Sequence, residues 1–157
     1  MKNLRITVDR RIVSHTIDEL RQGGQARTER FALWLGRRAD NTVQIAESYV
    51  PKYEASSDYF HIGRPEMAKL IAYLRERELM IGAQLHTHPA EAFHSTADDR
   101  WAIVRHVGAL SVVLPYFARA TTVENFIRDG KVFALSRDNH WDEIQRLALA
   151  RYLEITS

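Results

Sequence analysis

The chain has 157 residues, 45% hydrophobic and 27% charged, with a formal net charge of +2 and no cysteine. That length and composition predict one globular domain with a substantial core, and the absence of cysteine excludes a disulfide frame, a thiolate nucleophile and a thiolate metal site. No apolar run approaches the roughly eighteen residues of a membrane span, and the charged opening stretch holds no signal-peptide core, so the expectation is a cytoplasmic protein without membrane contact.

In chain order, Leu4-Arg5-Ile6-Thr7-Val8 alternates with period two and predicts a first strand. Asp9 is placed to cap a helix from about Arg10 to Gln22, with Ile12, Val13, Ile17 and Leu20 on one stripe and Gly23-Gly24 ending it. Phe31 to Gly36 reads as a strand, Ala39-Asp40-Asn41 as a turn, and Thr42 to Val50 as the hairpin partner closed by Pro51. Residues 52–63 form a polar connection ending in the strand-like Tyr59 to Ile62. Pro65 suits the first turn of a helix to about Leu79, with Met67, Leu70, Ile71 and Leu74 facing inward.

Met80 to Leu85 is an apolar run of strand length that leads into His86-Thr87-His88-Pro89. Residues i and i+2 of a strand point to one face, so His86 and His88 can aim both imidazoles at one point. Pro89 has no backbone N–H and ends regular pairing. Ser95, with Asp98 three residues on, reads as the N-cap of a helix that ends near Gly108 and carries Arg100 and Arg105. Two histidines and one carboxylate, His86, His88 and Asp98, are a ligand set of catalytic zinc sites, with the fourth position left for water. Beyond it, Ala109 to Pro115 predicts a central buried strand. Val123 to Arg128 and Lys131 to Leu135 flank Asp129-Gly130 as a hairpin, and Asn139 caps a last helix from Trp141 to about Glu154 that packs through Ile144, Leu147, Leu149 and Tyr152. The sum is a single α/β domain over residues 1–157, a mixed curved sheet flanked by helices.

The residues His86-Thr87-His88-Pro89 and Ser95-Thr96-Ala97-Asp98 resemble the signature of the JAMM (MPN-plus, JAB) zinc metalloproteases. That family's signature includes a glutamate seven residues before a glycine on an earlier strand, and Glu29 to Gly36 has this form. The resemblance implies a cytidine-deaminase-like, partly barrel-like sheet. It also implies that Glu29 moves the proton between the attacking water and the leaving amine. Ser95 is the candidate donor to the oxyanion, a contribution of about 3 kcal/mol where one such donor is lost. The loop from His88 is one residue shorter than in the eukaryotic enzymes, so Thr96 and Asp99 become the matched pair if loop length is kept; motif order selects Ser95 and Asp98. His94 is read as a bystander of the motif, and His15, His61, His106 and His140 show no ligand spacing.

The implied activity is removal or processing at the C-terminal tail of a ubiquitin-like protein and its conjugates. The small size is closer to bacterial members encoded with ubiquitin-like conjugation systems, some of them antiphage. Processing of a sulfur-carrier protein and a non-catalytic scaffold are the alternatives. The tail would bind extended, against a sheet edge near residues 52–62. Arg27, Arg30, Arg37 and Arg38 around the Glu29 strand read as solvated surface, and the mild net charge argues against nucleic acid as a partner.

Overall fold

An eight-stranded mixed sheet organises the chain in a computed structural model that describes residues 4–55, 60–93 and 103–157. The chain runs β1 (Arg5–Asp9), α1 (Arg10–Arg21), α2 (Gly23–Ala26), β2 (Phe31–Ala39), β3 (Thr42–Tyr49), β4 (Glu54–Ala55), β5 (Phe60–His61), α3 (Arg64–Arg77) and β6 (Met80–Thr87). It continues as β7 (Leu110–Leu114), a three-residue turn (Tyr116–Ala118), α4 (Phe126–Asp129), β8 (Lys131–Leu135), β9 (Trp141–Glu143), a 3-10 segment (Arg146–Arg151) and β10 (Leu153–Thr156). Spatial order is β10-β1-β3-β2-β6-β7-β8-β9, with β4 and β5 forming a separate antiparallel pair. The pairs β1/β10, β1/β3 and β6/β7 are parallel and the rest antiparallel. This is the mixed α/β class expected.

The sheet separates two cores. On one face α1 packs Val13, Ile17 and Leu20 onto Ile6, Trp34, Val43, Leu85 and Val112; burial of each such side chain stabilises by about 1.5–3 kcal/mol. The helix begins as expected, with the Asp9 carboxylate accepting from Arg11 N–H at 2.7 Å. Thr16 belongs to the buried stripe too. Its hydroxyl donates to the Ile12 carbonyl and accepts from Trp34 Nε1–H at 2.9 Å, so the indole proton has a partner in the apolar layer. On the other face Phe31, Leu33 and Leu35 meet Leu70 of α3, Val104 and Ala109.

Gly36 sits where β2 slips register against β3, and a Cβ there would lie 2.2 Å from the Gln44 carbonyl oxygen. β2 also slips against β6 between Trp34 and Leu35. Paired bulges bend a strand, and here only glycine admits the close approach of β3.

Several expectations are corrected. Gly23-Gly24 opens α2 instead of ending the chain's helical course, and Gln22 is the cap of α1. Ile71 of α3 points to solvent, leaving Leu70 as the buried residue. Of the strand expected at Tyr59 to Ile62, Tyr59 lies outside the described residues, Phe60–His61 form β5 and Ile62 is outside it. Residues 103–109 are irregular, so no helix reaches Gly108 and Arg105 lies on none. Residues 126–129 form helix α4, not a strand, and β8 pairs instead with β7 and β9. The final helix is replaced by β9, a 3-10 segment and β10; Leu147 is fully exposed, and Asn139, at φ 60°, makes the turn between β8 and β9. No helix among the described residues is long and apolar enough to cross a membrane.

Replacing Thr16 by valine keeps the shape and removes the acceptor for the buried indole N–H. Urea denaturation is expected to show a loss of about 1–3 kcal/mol, the cost of an unsatisfied buried donor.

Candidate metal centre

The two motif histidines lie at the end of β6, and the strand geometry does for them what period two requires. Gln84 and His86 alternate with Ala83 and Leu85, which belong to the α1 core; His86 thus faces the other side, opposite Phe31 of β2 and beside Val113 of β7. Both imidazoles are buried, His86 at 0% and His88 at 3% exposure, with ring centres 5.2 Å apart. Two imidazoles ligating one tetrahedral zinc through nitrogens at about 2.0–2.1 Å hold their centres about 5 Å apart. The pair fits that spacing. Phe93 stands edge-on to the His88 ring at 4.4 Å between centres.

Glu29 reaches the same place from β2. Past the last ladder pair, Thr87 N–H donates to the Arg30 carbonyl at 3.0 Å and the Thr87 hydroxyl accepts from Arg30 N–H at 3.0 Å. The hydroxyl replaces the main-chain acceptor and extends the β2–β6 register. Continued one step past that pair, the Phe31–His86 register would set Glu29 against His88; the Glu29 side chain is 1% exposed. Its approach is set by a tight packing of backbone. Thr28 N–H donates to Gly23 O, Arg27 turns through φ 50°, and a Cβ on Gly23 would lie 2.5 Å from the Thr28 oxygen and 2.2 Å from Arg30 Cγ. The expected role of this glycine as a helix stop was therefore too small: it lets α2 seat against the segment carrying Glu29.

The far side of His88 is fixed by β7 and the turn after it. His88 N–H donates to Leu114 O at 2.9 Å and its carbonyl accepts from Phe117 N–H at 2.8 Å; Tyr116 N–H donates to Ala90 O at 2.9 Å. Tyr116, Phe117 and Ala118 have φ of 50°, 54° and 57°, a left-handed turn without glycine. Each such residue costs about 1–2 kcal/mol.

Two neighbours complete the floor. Gln84 Nε2 donates to the Ser111 hydroxyl at 3.2 Å, and its Oε1 accepts from Ile103 N–H at 3.2 Å. The Tyr53 hydroxyl accepts from Phe31 N–H at 3.0 Å, with its ring edge-on to Phe31. Burial pushes this phenol above its ordinary value of 10.0.

Of the expected site residues, His86 and His88 lie side by side and Glu29 is buried in the segment before β2. Ser95 and Asp98 lie outside the described residues, as do Thr96, Asp99, His94 and Arg100. Among the described residues no three His, Cys, Asp or Glu side chains form a set that would hold a metal. Sequence reasoning missed the Thr87 hydroxyl, Tyr53 and the Tyr116–Ala118 turn. Only Pro115, closing an apolar strand, signalled the turn; no local pattern announces a main-chain bond across strands. His106 is structural, its Nε2 lying 2.9 Å from the Ile81 carbonyl oxygen.

No family model matches the chain. It is 35% identical to the probable metalloprotease y4jG of Sinorhizobium fredii (strain NBRC 101917 / NGR234) over 157 aligned residues, covering 97% of this chain and 94% of that protein. It superposes on the solution structure of protein DSY2949 from Desulfitobacterium hafniense with a TM-score of 0.68 at 19% identity, covering 96% of this chain and 92% of that one, a likeness of fold.

Two outcomes follow from these contacts. Gly23→Ala is expected to displace the Glu29 segment, lowering turnover at unchanged metal content, as measured by hydrolysis rate and elemental analysis. For Tyr53, the raised folded-state value means that the native state holds its proton longer than the unfolded chain. Its stabilisation is present below pH 10 and is lost as pH rises through the folded value. The stability gap between wild type and Tyr53→Phe, read by urea midpoints, should narrow above about pH 10.

Proposed function

The chain belongs to the family of the probable metalloprotease from Sinorhizobium fredii, and from that premise we propose that it is a zinc-dependent peptidase of the JAMM type acting at the C-terminal tail of a ubiquitin-like protein or its conjugates. The observation that carries this reading is the buried histidine pair, ring centres 5.2 Å apart, with buried Glu29 set against His88 when the β2–β6 register is continued. His86 and His88 supply two metal ligands, and the signature gives Asp98 as the third. The described flanks of that stretch both rest on the histidine face, Phe93 against His88 and Ile103 on Gln84. Zinc bound by these residues would polarise a carbonyl and bring the pKa of its water from about 15.7 toward roughly 7.

The protein's own residues do the rest. Glu29 takes the proton of the attacking water and returns it to the departing amine, and its burial keeps bulk water from competing for that proton. Ser95 donates to the oxyanion formed at the carbonyl. Thr87, through its two bonds to Arg30, positions Glu29. An extended tail has a landing place at the β4–β5 pair, which Tyr53 roots to Phe31 across from His86.

Glu29→Gln is expected to keep about one zinc per chain and to lose turnover by about 10²–10⁴-fold, whereas His88→Ala loses both. Substrates are ubiquitin-like proteins bearing C-terminal extensions, with products identified by mass. Turnover retained in Glu29→Gln removes that residue as the proton carrier.

A further inference from the structure

A cavity of about 490 Å³ opens among the chain segments that follow His88 and Leu114, and neither Glu29 nor the β4–β5 pair lines it. β6 and β7 are parallel and end side by side, at His88-Pro89 and Leu114-Pro115. Glu29 lies on the β2 side of β6; the cavity lies on the β7 side, walled by Ala92, Pro115, Tyr116 and Ala120. Ligands commonly sit at the carboxyl ends of parallel strands. This cavity shares its chain segments with the candidate centre: Ala92 is in the run that leaves His88, and Tyr116 belongs to the turn that bonds His88 and Ala90.

The walls are mainly apolar and the rim is acidic by one charge. Asp129 is paired with Arg128 at 2.8 Å and Lys131 with Glu143 at 3.4 Å. Glu91, exposed at the mouth, has no ion-pair partner among the described residues. The backbone that shapes the cavity is costly, with three consecutive non-glycine residues held at positive φ. Such strain persists where the surroundings enforce it, commonly at functional sites. Here it turns Tyr116 outward, half exposed, while its N–H and that of Phe117 point back at the motif.

We propose that this cavity is the leaving-group subsite: it takes the segment released as an amine, its aliphatic stem along Ala92, Pro115, Tyr116 and Ala120 and its positive charge toward Glu91. The assignment rests on the peptidase reading above, because cleavage of an amide leaves an ammonium group on the departing side and none on the acyl side. With the extended tail on the β4–β5 flank, the opposite flank is left for that amine. The amine has two sources, an α-amino group at a new N-terminus or the ε-amino group of a lysine freed from an isopeptide bond.

The test is a nitrogen-15 NMR titration of the full chain, zinc-loaded, with two probes: Leu-Ala-Gly amide, which offers only an α-amine, and N-acetyl-Gly-Lys-Gly amide, which offers only the ε-amine. The expected result is saturable shifts at the amides of Ala92, Tyr116 and Ala120 with at least one probe, and the stronger probe identifies the source. Ala120→Trp, which fills the cavity, and Glu91→Lys, which reverses the rim charge, should each weaken binding by about tenfold or more. Glu91→Lys changes a surface side chain, so it decides the matter even if the tryptophan perturbs the fold. Absence of these shifts with both probes, or unchanged affinity in Glu91→Lys, overturns the subsite. Because the titration reads binding without turnover, its failure is separable from failure of the peptidase reading, which the Glu29→Gln and His88→Ala assays address.

Discussion

Two hydrogen bonds between Arg30 and Thr87 hold the centre together. Neither residue is a ligand, yet their reciprocal pairing carries the β2–β6 register beyond the end of the ladder. Without it, Glu29 has no fixed relation to His88, because residues 28–30 are not part of a regular strand. The strand period decides the rest. A slip by one residue would turn both imidazoles into the apolar α1 core, and the Thr87 hydroxyl, sited between two histidines, opposes that slip. The motif's middle residue therefore works on the backbone, between the two imidazoles proposed as ligands.

The second constraint is steric and runs around the centre. α2 lies between the segment carrying Glu29 and the turn after β7: Gly23 makes the close approach to Thr28 and Arg30, and a Cβ on Gly24 would lie 3.4 Å from Phe117 Cβ. Phe117 N–H returns to the His88 carbonyl. The Glu29 segment, the histidine pair and the turn thus share one chain of backbone contacts with little slack. A buried carboxylate and two buried imidazoles are costly to keep in place without such support, and the left-handed turn adds strain of its own. The large apolar layer under α1, anchored by the Thr16–Trp34 bond, is remote enough from the chemistry to absorb that cost.

How much of this is written locally in the chain varies with the kind of signal. Period-two alternation placed β1, apolar runs of strand length placed β6 and β7, and strand periodicity put His86 and His88 on one face. The glutamate-to-glycine step was legible only as resemblance; its physical content is that Gly36 permits the close passage of β3 at a bulge. Turn chemistry misled at Asp129-Gly130, because Gly130 is small for a different reason: a Cβ there would lie 2.8 Å from the Phe126 carbonyl that ends α4. The real hairpin turn contains Asn139, a residue that tolerates positive φ as readily as it caps a helix. The last segment shows tertiary context overriding pattern. Residues 144–152 connect β9 at one sheet edge to β10 at the other, so a helical apolar stripe yields to a crossing that leaves Leu147 in solvent and pairs β10 with β1.

The topology explains why the candidate residues gather at this end of β6. Like β3 and β7, β6 has one antiparallel neighbour, here β2, and one parallel neighbour, here β7. Where it ends, β2 is beginning and β7 is also ending. The incoming strand delivers a side chain from its first residues, which is how Glu29 arrives; the outgoing strand must turn away, which opens space beyond Pro115. An antiparallel neighbour on both sides would crowd the site with two arriving strands, and parallel neighbours on both sides would leave no residue placed to face the water. One of each leaves the buried Glu29 on one flank and the cavity at Pro115 and Tyr116 on the other, with the histidines between. The proposed amide hydrolysis would use that asymmetry, since its two products differ in charge and shape.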